Sequence, residues 1–259
     1  MKCKYPIILV HGIALKDVKF FKAFGRIENI LKAEGNIIYT SETDGFGTIE
    51  NNAQQLKKQI LEVLETHKVD KVNLICHSKG GLDSLYMIEN LNMEEHIASL
   101  TSLSTPYKGS PIANFLLKLP KFLVRLLAFW INFIYKIFKD TNPDAYTVCM
   151  QLKEKESLEK ETLNTNSNIY VQSYSSTLKK SRDDFIMGIP LLYFKYSKKG
   201  DSDGMVSKES SRFGEFKGDM FEDSISHAEM VDFTLNKKKK EKVYAFYLKV
   251  VHDLINKGF

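Results

Sequence analysis

Short apolar runs alternate with helically spaced apolar residues along the N-terminal part of the chain. The runs at 5–10, 36–41, 71–76 and 97–104 predict four strands, and the patterns at 16–33, 51–67 and 80–91 predict the helices between them. Further strands are predicted at 168–174 and 191–197, and a closing helix at 238–256. Strands separated by helices form βαβ units, so the pattern predicts an α/β fold with a mostly parallel central sheet flanked by helices.

The chain has 259 residues, of which 43% are hydrophobic and 27% charged, as in ordinary soluble enzymes. No linker or repeat divides it, so we expect a single domain over residues 1–259. The three cysteines are widely spaced, which argues against a disulfide framework and a structural zinc site. Because the first predicted strand begins at residue 5, no leader is visible. We expect a cytoplasmic or peripherally membrane-associated protein, although a mature secreted form without its leader would show the same pattern.

A serine directly follows the third predicted strand, in the stretch CHSKG at 76–80. In a parallel sheet, ligands bind beyond the carboxyl ends of the strands, which is where this serine lies. A serine on a sharp strand-to-helix turn can present its hydroxyl only if its neighbours are small, and Gly80 and Gly81 meet that requirement. Cysteine stands where the usual G-x-S-x-G motif has its first glycine. The pattern indicates that Ser78 is a nucleophile, and the alternative is a serine that caps the following helix.

Acyl transfer by a serine also requires backbone N–H groups that bind the oxyanion of the tetrahedral intermediate. The residue after the nucleophile, Lys79, supplies one such amide. The second is expected from a loop after an early strand, and His11, Gly12 and Ile13 occupy that place, so Ile13 is the second predicted donor. We expect His11 to support this loop through a structural hydrogen bond.

A general base and an acid must follow the serine, in the chain order serine, acid, histidine that is typical of parallel-sheet hydrolases. Of the later histidines, His96 lies in a polar turn and His252 lies at helical spacing in the closing helix. His227 lies in a polar loop that opens a helix, which is typical of a base. Asp203, which is followed by glycine, is the candidate acid, and Asp201 is its nearby rival.

Five segments together resemble the bacterial true lipases (triacylglycerol lipase-like) of the α/β-hydrolase fold. They are YPIILVHGI, KVNLICHSKGGLDS, LSTPYKGSPIA, DGMVS and SHAEMVD, and the similarity is weakest between residues 111 and 168. The resemblance implies an α/β-hydrolase fold in which Ser78 is the nucleophile, Asp203 the triad acid and His227 the general base. It also implies an oxyanion hole formed by the amides of Ile13 and Lys79.

These lipases often hold a structural calcium ion near the base. Asp183 (or Asp184) and Glu229 stand at the matching places, but glutamate replaces the usual aspartate and Phe233 stands where another oxygen ligand is expected. Calcium takes roughly six to eight oxygen ligands, so two carboxylates are a sparse set. We therefore expect no required cofactor, with Asp183 and Glu229 as the candidate calcium ligands.

One segment, 120–139, is both basic and strongly apolar, and it lies within a helical lid insertion predicted at 106–165. It begins with proline, a good first residue of a helix, and its charged residues fall on one stripe at helical spacing. The run is too interrupted by charge to span a bilayer. We expect the apolar arc of this helix to cover the active site in water and to contact lipid when the lid opens. The predicted lid side chains are Phe122, Leu126, Phe129, Trp130 and Phe133. The alternative is a core helix with a solvated stripe.

The sequence therefore predicts a serine hydrolase of long-chain carboxylic esters that works through an acyl-enzyme. Its partners would be a lipid substrate and, peripherally, a membrane or lipid-droplet surface. Nucleic acid is not expected, because the positive charges interleave with apolar side chains and do not form a polar groove. The alternatives are a phospholipase or acyltransferase that acts on membrane lipids, or a catalytically silent lipid-binding protein.

Overall fold

A computed structural model describes residues 2–14, 16–18, 21–154, 163 and 168–259 of the chain. Its centre is a sheet of six parallel strands in the order β2-β1-β3-β4-β5-β6. The strands are β1 (Ile7–Val10), β2 (Ile38–Thr40), β3 (Val72–His77), β4 (Ile97–Leu103), β5 (Tyr170–Ser175) and β6 (Glu215–Asp219). The α-helices are α1 (Ile27–Ala33), α2 (Ile49–His67), α3 (Lys79–Asn90), α4 (Pro111–Leu117), α5 (Lys121–Ile137), α6 (Ala145–Gln151), α7 (Phe185–Tyr196) and α8 (Lys237–Asn256). The predicted parallel α/β architecture is confirmed.

The strands separate two hydrophobic cores, one on each face of the sheet. Successive side chains of a strand point to opposite faces, so Ile7 and Leu9 of β1 pack with α1 and α8. Ile8 and Val10 pack with α2 and α3 on the other face, and all four side chains are fully buried. A strand that is covered on both faces favours apolar residues on both sides, which explains the continuous apolar run of β1 in the sequence.

The parallel direction of the strands brings distant parts of the chain to one edge of the sheet. The loops that follow β1, β3 and β6 all begin at carboxyl ends of strands, where ligands bind in open α/β sheets. Gly12, Ser78 and His227 belong to these three loops. The fold therefore collects the predicted oxyanion loop, nucleophile and base at the same edge.

The prediction of a strand at 191–197 is wrong, because most of these residues belong to helix α7. The side chain of Asp184 caps this helix by accepting hydrogen bonds from two amides of its first turn. The helix is buried at Gly188, Leu191 and Phe194, which recur at a helical spacing. The aromatic residues of this segment favour a strand locally, but the cap and the packing on one side favour a helix.

Two other elements differ from the prediction. The helix predicted at 16–33 begins only at Ile27, because Gly25 adopts a left-handed φ of 51° that a continuous helix does not allow. Residues 19 and 20 of that range lie outside the described residues. Strand β6 was not predicted, because its sequence EFKGD is polar, as is common in a strand at the edge of a sheet. The end of the lid insertion predicted at 106–165 also lies outside the described residues, and helices α4, α5 and α6 occupy its described part.

Candidate active site

Ser78 lies on a strained turn between β3 and α3. Its φ of 56° and ψ of −133° form a conformation that side-chain-bearing residues rarely adopt, and such strain is concentrated at functional sites. Gly80, two residues later, lies where α3 packs closely on the end of β1. A Cβ atom on Gly80 would lie 2.5 Å from the carbonyl oxygen of His11 and 2.6 Å from that of Val10, so only glycine allows α3 to approach β1 this closely.

The loop after β1 lies directly against the serine. A Cβ atom on Gly12 would lie 2.7 Å from Cβ of Ser78 and 3.2 Å from its Oγ, so a side chain at this position would displace the hydroxyl. The next amide along this loop belongs to Ile13. Lys79 is the first residue of α3, and amides in the first turn of a helix have no acceptor within the helix. Both predicted oxyanion donors thus belong to segments that flank the hydroxyl of Ser78.

His11 supports the loop of Gly12. Its Nδ1 lies 3.0 Å from the carbonyl oxygen of Gly12, which can only accept, so Nδ1 carries the proton. Its Nε2 therefore accepts from the hydroxyl of Thr43 at 3.2 Å. Burial lowers the pKa of His11, so the ring stays neutral and keeps this tautomer near neutral pH. This arrangement agrees with the structural hydrogen bond that the sequence led us to expect.

The candidate acid and base form a buried pair. Nδ1 of His227 lies 2.7 Å from Oδ2 of Asp203, and the amide of His227 donates to the carbonyl oxygen of Asp203 at 3.0 Å. The other carboxylate oxygen of Asp203 accepts two backbone hydrogen bonds, from Met205 at 2.9 Å and from Val206 at 2.8 Å. Asp201 is exposed and makes no such contact. Of the two carboxylates that the sequence left open, Asp203 is the one that faces the imidazole.

The other candidate histidines lie elsewhere. His96 is half-buried and its Nδ1 lies 3.2 Å from the carbonyl oxygen of Asp70, beside the start of β4 and therefore at the opposite edge of the sheet. His252 is exposed on α8, where it contacts Asn256. Neither one approaches Asp203.

His77 connects the serine segment to the base, and it was missed in the sequence. Its Nε2 donates to the carbonyl oxygen of His227 at 3.0 Å, and the two imidazole ring centroids are 4.5 Å apart. Burial holds the pKa of His77 well below its ordinary value, and the neighbouring His227 contributes to the same shift. The neutral ring of His77, the residue before Ser78, therefore holds the backbone of His227 beside the serine turn. The only signal in the sequence was a polar residue at the end of a buried strand.

We expect His77→Leu to lower kcat for a soluble ester roughly 10- to 100-fold with little change in KM, because a misplaced base affects proton transfer more than substrate binding. Steady-state kinetics across the pH range of activity measures both parameters. His77→Gln retains a side-chain N–H and is expected to recover part of kcat. His252→Leu, at the exposed histidine of α8, is the matched control. Equal losses in the leucine and glutamine variants would show that His77 acts through packing alone.

The side chain of Lys79 forms a buried ion pair with Asp83. Its Nζ lies 2.6 Å from Oδ1 of Asp83, and both side chains are 1% exposed. Asn52 donates to the other carboxylate oxygen at 3.0 Å. Burial raises the pKa of Asp83 to about 6, although the ammonium of Lys79 acts in the opposite direction. The pair joins the first and second turns of α3, and so holds the segment that carries the predicted oxyanion amide of Lys79.

The carboxylates that were candidates for calcium are already engaged by other groups. Both oxygens of Glu229 contact the ammonium of Lys239, at 2.8 Å and 2.7 Å. Asp184 caps α7 with one oxygen and accepts the hydroxyl of Ser226 with the other, at 2.5 Å. The pKa of Asp183 is lowered, mainly by a hydrogen bond with the side chain of Ser224. Among the described residues no group of three or more histidine, cysteine or acidic side chains could hold a metal ion, so these residues do not fit calcium.

We expect EDTA to leave ester hydrolysis unchanged, because the ammonium of Lys239 supplies the positive charge next to Glu229. Lys239→Met should lower the free energy of unfolding by about 1–3 kcal/mol, since it leaves a mostly buried carboxylate without its charged partner. Thermal unfolding and initial rates with and without EDTA measure the two effects. The exposed neighbour Lys238→Met is the control. A rate that falls with EDTA and returns with calcium would contradict the expectation.

Helix α5 turns its apolar side outward. The five predicted lid side chains, Phe122, Leu126, Phe129, Trp130 and Phe133, are all more than half exposed, whereas Val124 and Ala128 are buried. The inward side of α5 includes Asn132, which accepts from the amide of Ala145 at 2.8 Å, whereas the charged residues of the helix are exposed. The structure thus differs from the expected arrangement in water, in which the apolar arc covers the site. Within the described residues, no helix is long and apolar enough to cross a membrane.

The C-terminal end of α5 is attached to loops beside the serine. The hydroxyl of Tyr135 donates to the carbonyl oxygen of Ala14 at 3.0 Å, next to the predicted oxyanion donor Ile13. The ammonium of Lys16 bridges two buried carboxylates, Asp44 at 3.2 Å and Asp140 at 3.0 Å. The helix therefore has a defined attachment at the edge of the site.

Part of the chain matches the family model of lecithin:cholesterol acyltransferase. The match covers residues 48–119, a segment that contains Ser78 and helices α2, α3 and α4. Triacylglycerol lipase 2 of Saccharomyces cerevisiae is 28% identical over 254 residues, which cover 90% of this chain and 73% of that protein. The triacylglycerol lipase of Pseudarthrobacter phenanthrenivorans is 36% identical over 119 residues, which cover 43% of this chain and only 36% of that protein.

The fold is also that of solved lipases. The structure of the Staphylococcus hyicus lipase superposes with a TM-score of 0.68 at 14% sequence identity, and the match covers 98% of this chain and 96% of that one. At such low identity the likeness bears on the fold, which is the α/β-hydrolase fold. The chain therefore has the α/β-hydrolase fold and is similar in sequence to triacylglycerol lipases.

Proposed function

We propose that the chain hydrolyses long-chain acyl esters of lipids through a triad of Ser78, His227 and Asp203. The observation that carries this proposal is the 2.7 Å contact between the buried Asp203 and His227, next to a serine on a strained turn. A purely structural hydrogen bond would not require Ser78 to hold its rare backbone conformation. The homology to lipases supports the same class of reaction.

In the proposed reaction, His227 takes the proton of the Ser78 hydroxyl as the oxygen attacks the ester carbonyl. Asp203 accepts the hydrogen bond from Nδ1 of His227 and stabilises the imidazolium that forms. The amides of Ile13 and Lys79 bind the oxyanion, and His227 returns the proton to the departing alcohol. Water then attacks the acyl-enzyme with the help of the same base, which releases the fatty acid and restores the serine.

The preference for long acyl chains is supported by the apolar surface around the site. Helix α5 presents large apolar side chains outward and is attached next to the oxyanion loop. An acyl chain of many carbons can bury its surface against such residues, whereas a short chain cannot. Because the apolar side of α5 already faces outward, it can contact a lipid surface while the helix stays attached beside the oxyanion loop.

Hydrolysis of p-nitrophenyl esters of increasing acyl length tests the proposed substrate class. We expect kcat/KM to rise with chain length and the rate to increase further when the ester is presented above its solubility limit, because aggregated lipid engages α5. Phe129→Asp should remove this gain, and Leu61→Asp, at an exposed leucine of α2, is the control. Activity that falls steadily from short to long chains would contradict the proposal.

A second candidate is acyl transfer from a phospholipid to an alcohol. The match of residues 48–119 to the lecithin:cholesterol acyltransferase model favours it, and the acyl-enzyme would be the same. Only the acceptor differs, because an alcohol replaces water in the second step. Incubation with a phospholipid and a long-chain alcohol separates the two functions: ester product indicates transfer, and free fatty acid indicates hydrolysis. A catalytically silent lipid-binding protein would release neither.

A further inference from the structure

Helix α7 exposes a second apolar face, in addition to that of α5. Its outward side chains include Phe185, Ile186, Ile189, Leu192 and Tyr196, with exposures from 55% to 89%. They recur at helical spacing on the side opposite to the buried residues of the helix. Lys195 is its only charged residue. Soluble proteins rarely leave such a contiguous apolar surface in water unless it binds a partner.

Basic side chains flank this face at both ends of α7, and one of them, Lys199, forms an ion pair with Glu154 at 3.1 Å. The segment 179–199, which contains α7, has six basic residues and two acidic ones. The basic residues are all exposed: Lys179, Lys180, Arg182, Lys195, Lys198 and Lys199. The acidic residues are Asp183, which bonds Ser224, and Asp184, which caps the helix. An apolar face bordered by positive charge is complementary to a surface with an apolar interior and anionic groups at its boundary.

Helix α4 links α7 to α5. The rings of Phe115 in α4 and Tyr193 in α7 have centroids 5.1 Å apart, and α4 also packs on α5. Phe115 is itself 46% exposed. We call the exposed apolar side chains of α4, α5 and α7 the apolar face. No acidic residue occurs between residues 97 and 139, so the α5 part of this face is also basic.

The apolar face adjoins the candidate active site. A Cβ atom on Gly204 would lie 2.7 Å from the carbonyl oxygen of Met187, so α7 packs directly on the loop that carries Asp203. At the start of the helix, Asp184 accepts the hydroxyl of Ser226, the residue before His227. A lipid that contacts α7 is therefore next to the loops of the acid and the base.

We propose that the apolar face docks the protein on the surface of an anionic phospholipid bilayer, with α7 as a second interfacial helix beside α5. Anionic lipid attracts the basic border, and the apolar side chains of both helices enter the boundary between head groups and acyl chains. A second copy of the chain is a poorer occupant, because pairing two α7 faces would bring two basic borders together. The proposal extends the proposed function to a membrane partner, but docking itself requires no catalysis.

Flotation of the Ser78→Ala chain with vesicles tests docking independently of hydrolysis. The vesicles contain either phosphatidylcholine alone or phosphatidylcholine with phosphatidylglycerol. We expect binding to the anionic vesicles to be at least about tenfold stronger, and to weaken as salt is raised. Ile186→Asp/Ile189→Asp in the same background should lower the binding at least about tenfold, because two apolar anchors are lost. Leu61→Asp is the matched control outside the apolar face.

A second variant separates charge from apolar contact. Lys180→Glu/Arg182→Glu should abolish the preference for anionic vesicles. Circular dichroism and thermal unfolding check that each variant is folded. The proposal is overturned if Ser78→Ala with no further change does not bind anionic vesicles. It is equally overturned if Ile186→Asp/Ile189→Asp binds these vesicles as well as Leu61→Asp does. It is also overturned if the unaltered chain is a dimer without lipid that the aspartate variant converts to a monomer. Because every arm uses Ser78→Ala, a failure of docking is distinct from a failure of ester hydrolysis.

Discussion

Ser78→Ala is expected to lower kcat for ester hydrolysis about 10⁴- to 10⁶-fold, because the proposed acyl-enzyme could not form without the serine oxygen. The neighbouring amides of Ile13 and Lys79 would still bind the oxyanion of a direct attack by water, so a small residual rate is expected. KM for a soluble ester should change little, since the alanine removes one oxygen atom from the site. Initial rates and burst kinetics with a p-nitrophenyl ester measure both quantities, and the burst should disappear.

Ser78→Gly provides a control that alanine cannot provide. Glycine adopts the φ of 56° without steric cost, so this variant should be about 1 kcal/mol more stable than the parent chain while it is equally inactive. Denaturant unfolding measures the difference. Stability gained at the cost of activity would identify the strain at Ser78 as part of a catalytic turn. Activity retained by both variants, with the fold intact, would falsify the assignment of Ser78 as nucleophile.

Asp203→Asn is expected to lower kcat about 10³- to 10⁴-fold. The carboxamide can place an N–H opposite Nδ1 of His227, which favours the tautomer that carries its proton on Nε2. That tautomer cannot accept the proton of the Ser78 hydroxyl. The amide oxygen of the variant can still accept from the amides of Met205 and Val206, so the loop should keep its conformation.

Asp201→Asn is the matched control, because it makes the same chemical change two residues away in the same loop. Asp201 is exposed and does not contact His227, so its variant should retain kcat within about twofold. Rates and thermal unfolding of both variants, measured under one set of conditions, separate the two carboxylates. A larger loss of kcat in Asp201→Asn than in Asp203→Asn would show that Asp201, and not Asp203, is the acid.

The strength of local patterns explains which elements were predictable. Strands β1, β3 and β4 are buried on both faces, and their concentration of apolar residues made them predictable, although β3 and β4 also bury polar side chains such as Asn73 and Ser99. Strand β6 lies at the edge of the sheet with a polar sequence, and it was missed. The aromatic segment at 191–197 has the composition of a strand, but the Asp184 cap and one-sided packing make it a helix.

The sequence by itself determined the parallel α/β fold, and it predicted the serine turn with its glycines and the order of the candidate serine, acid and histidine along the chain. These features depend on periodicity, residue size and chain order, which are local or one-dimensional properties. It did not distinguish Asp203 from Asp201, because both are turn residues of the same chemistry.

Only the tertiary structure decided which carboxylate contacts His227. It also decided the ion pairs of Lys79 with Asp83 and of Lys239 with Glu229. Finally, it decided that the apolar sides of α5 and α7 face outward. Hydrogen bonds and ion pairs have a reach of a few ångströms, so they depend on where packing places each loop. The direction of an amphipathic helix likewise depends on which neighbour covers it. An apolar stripe shows that a helix has a partner, but its period is the same whether that partner is the protein core or a lipid surface.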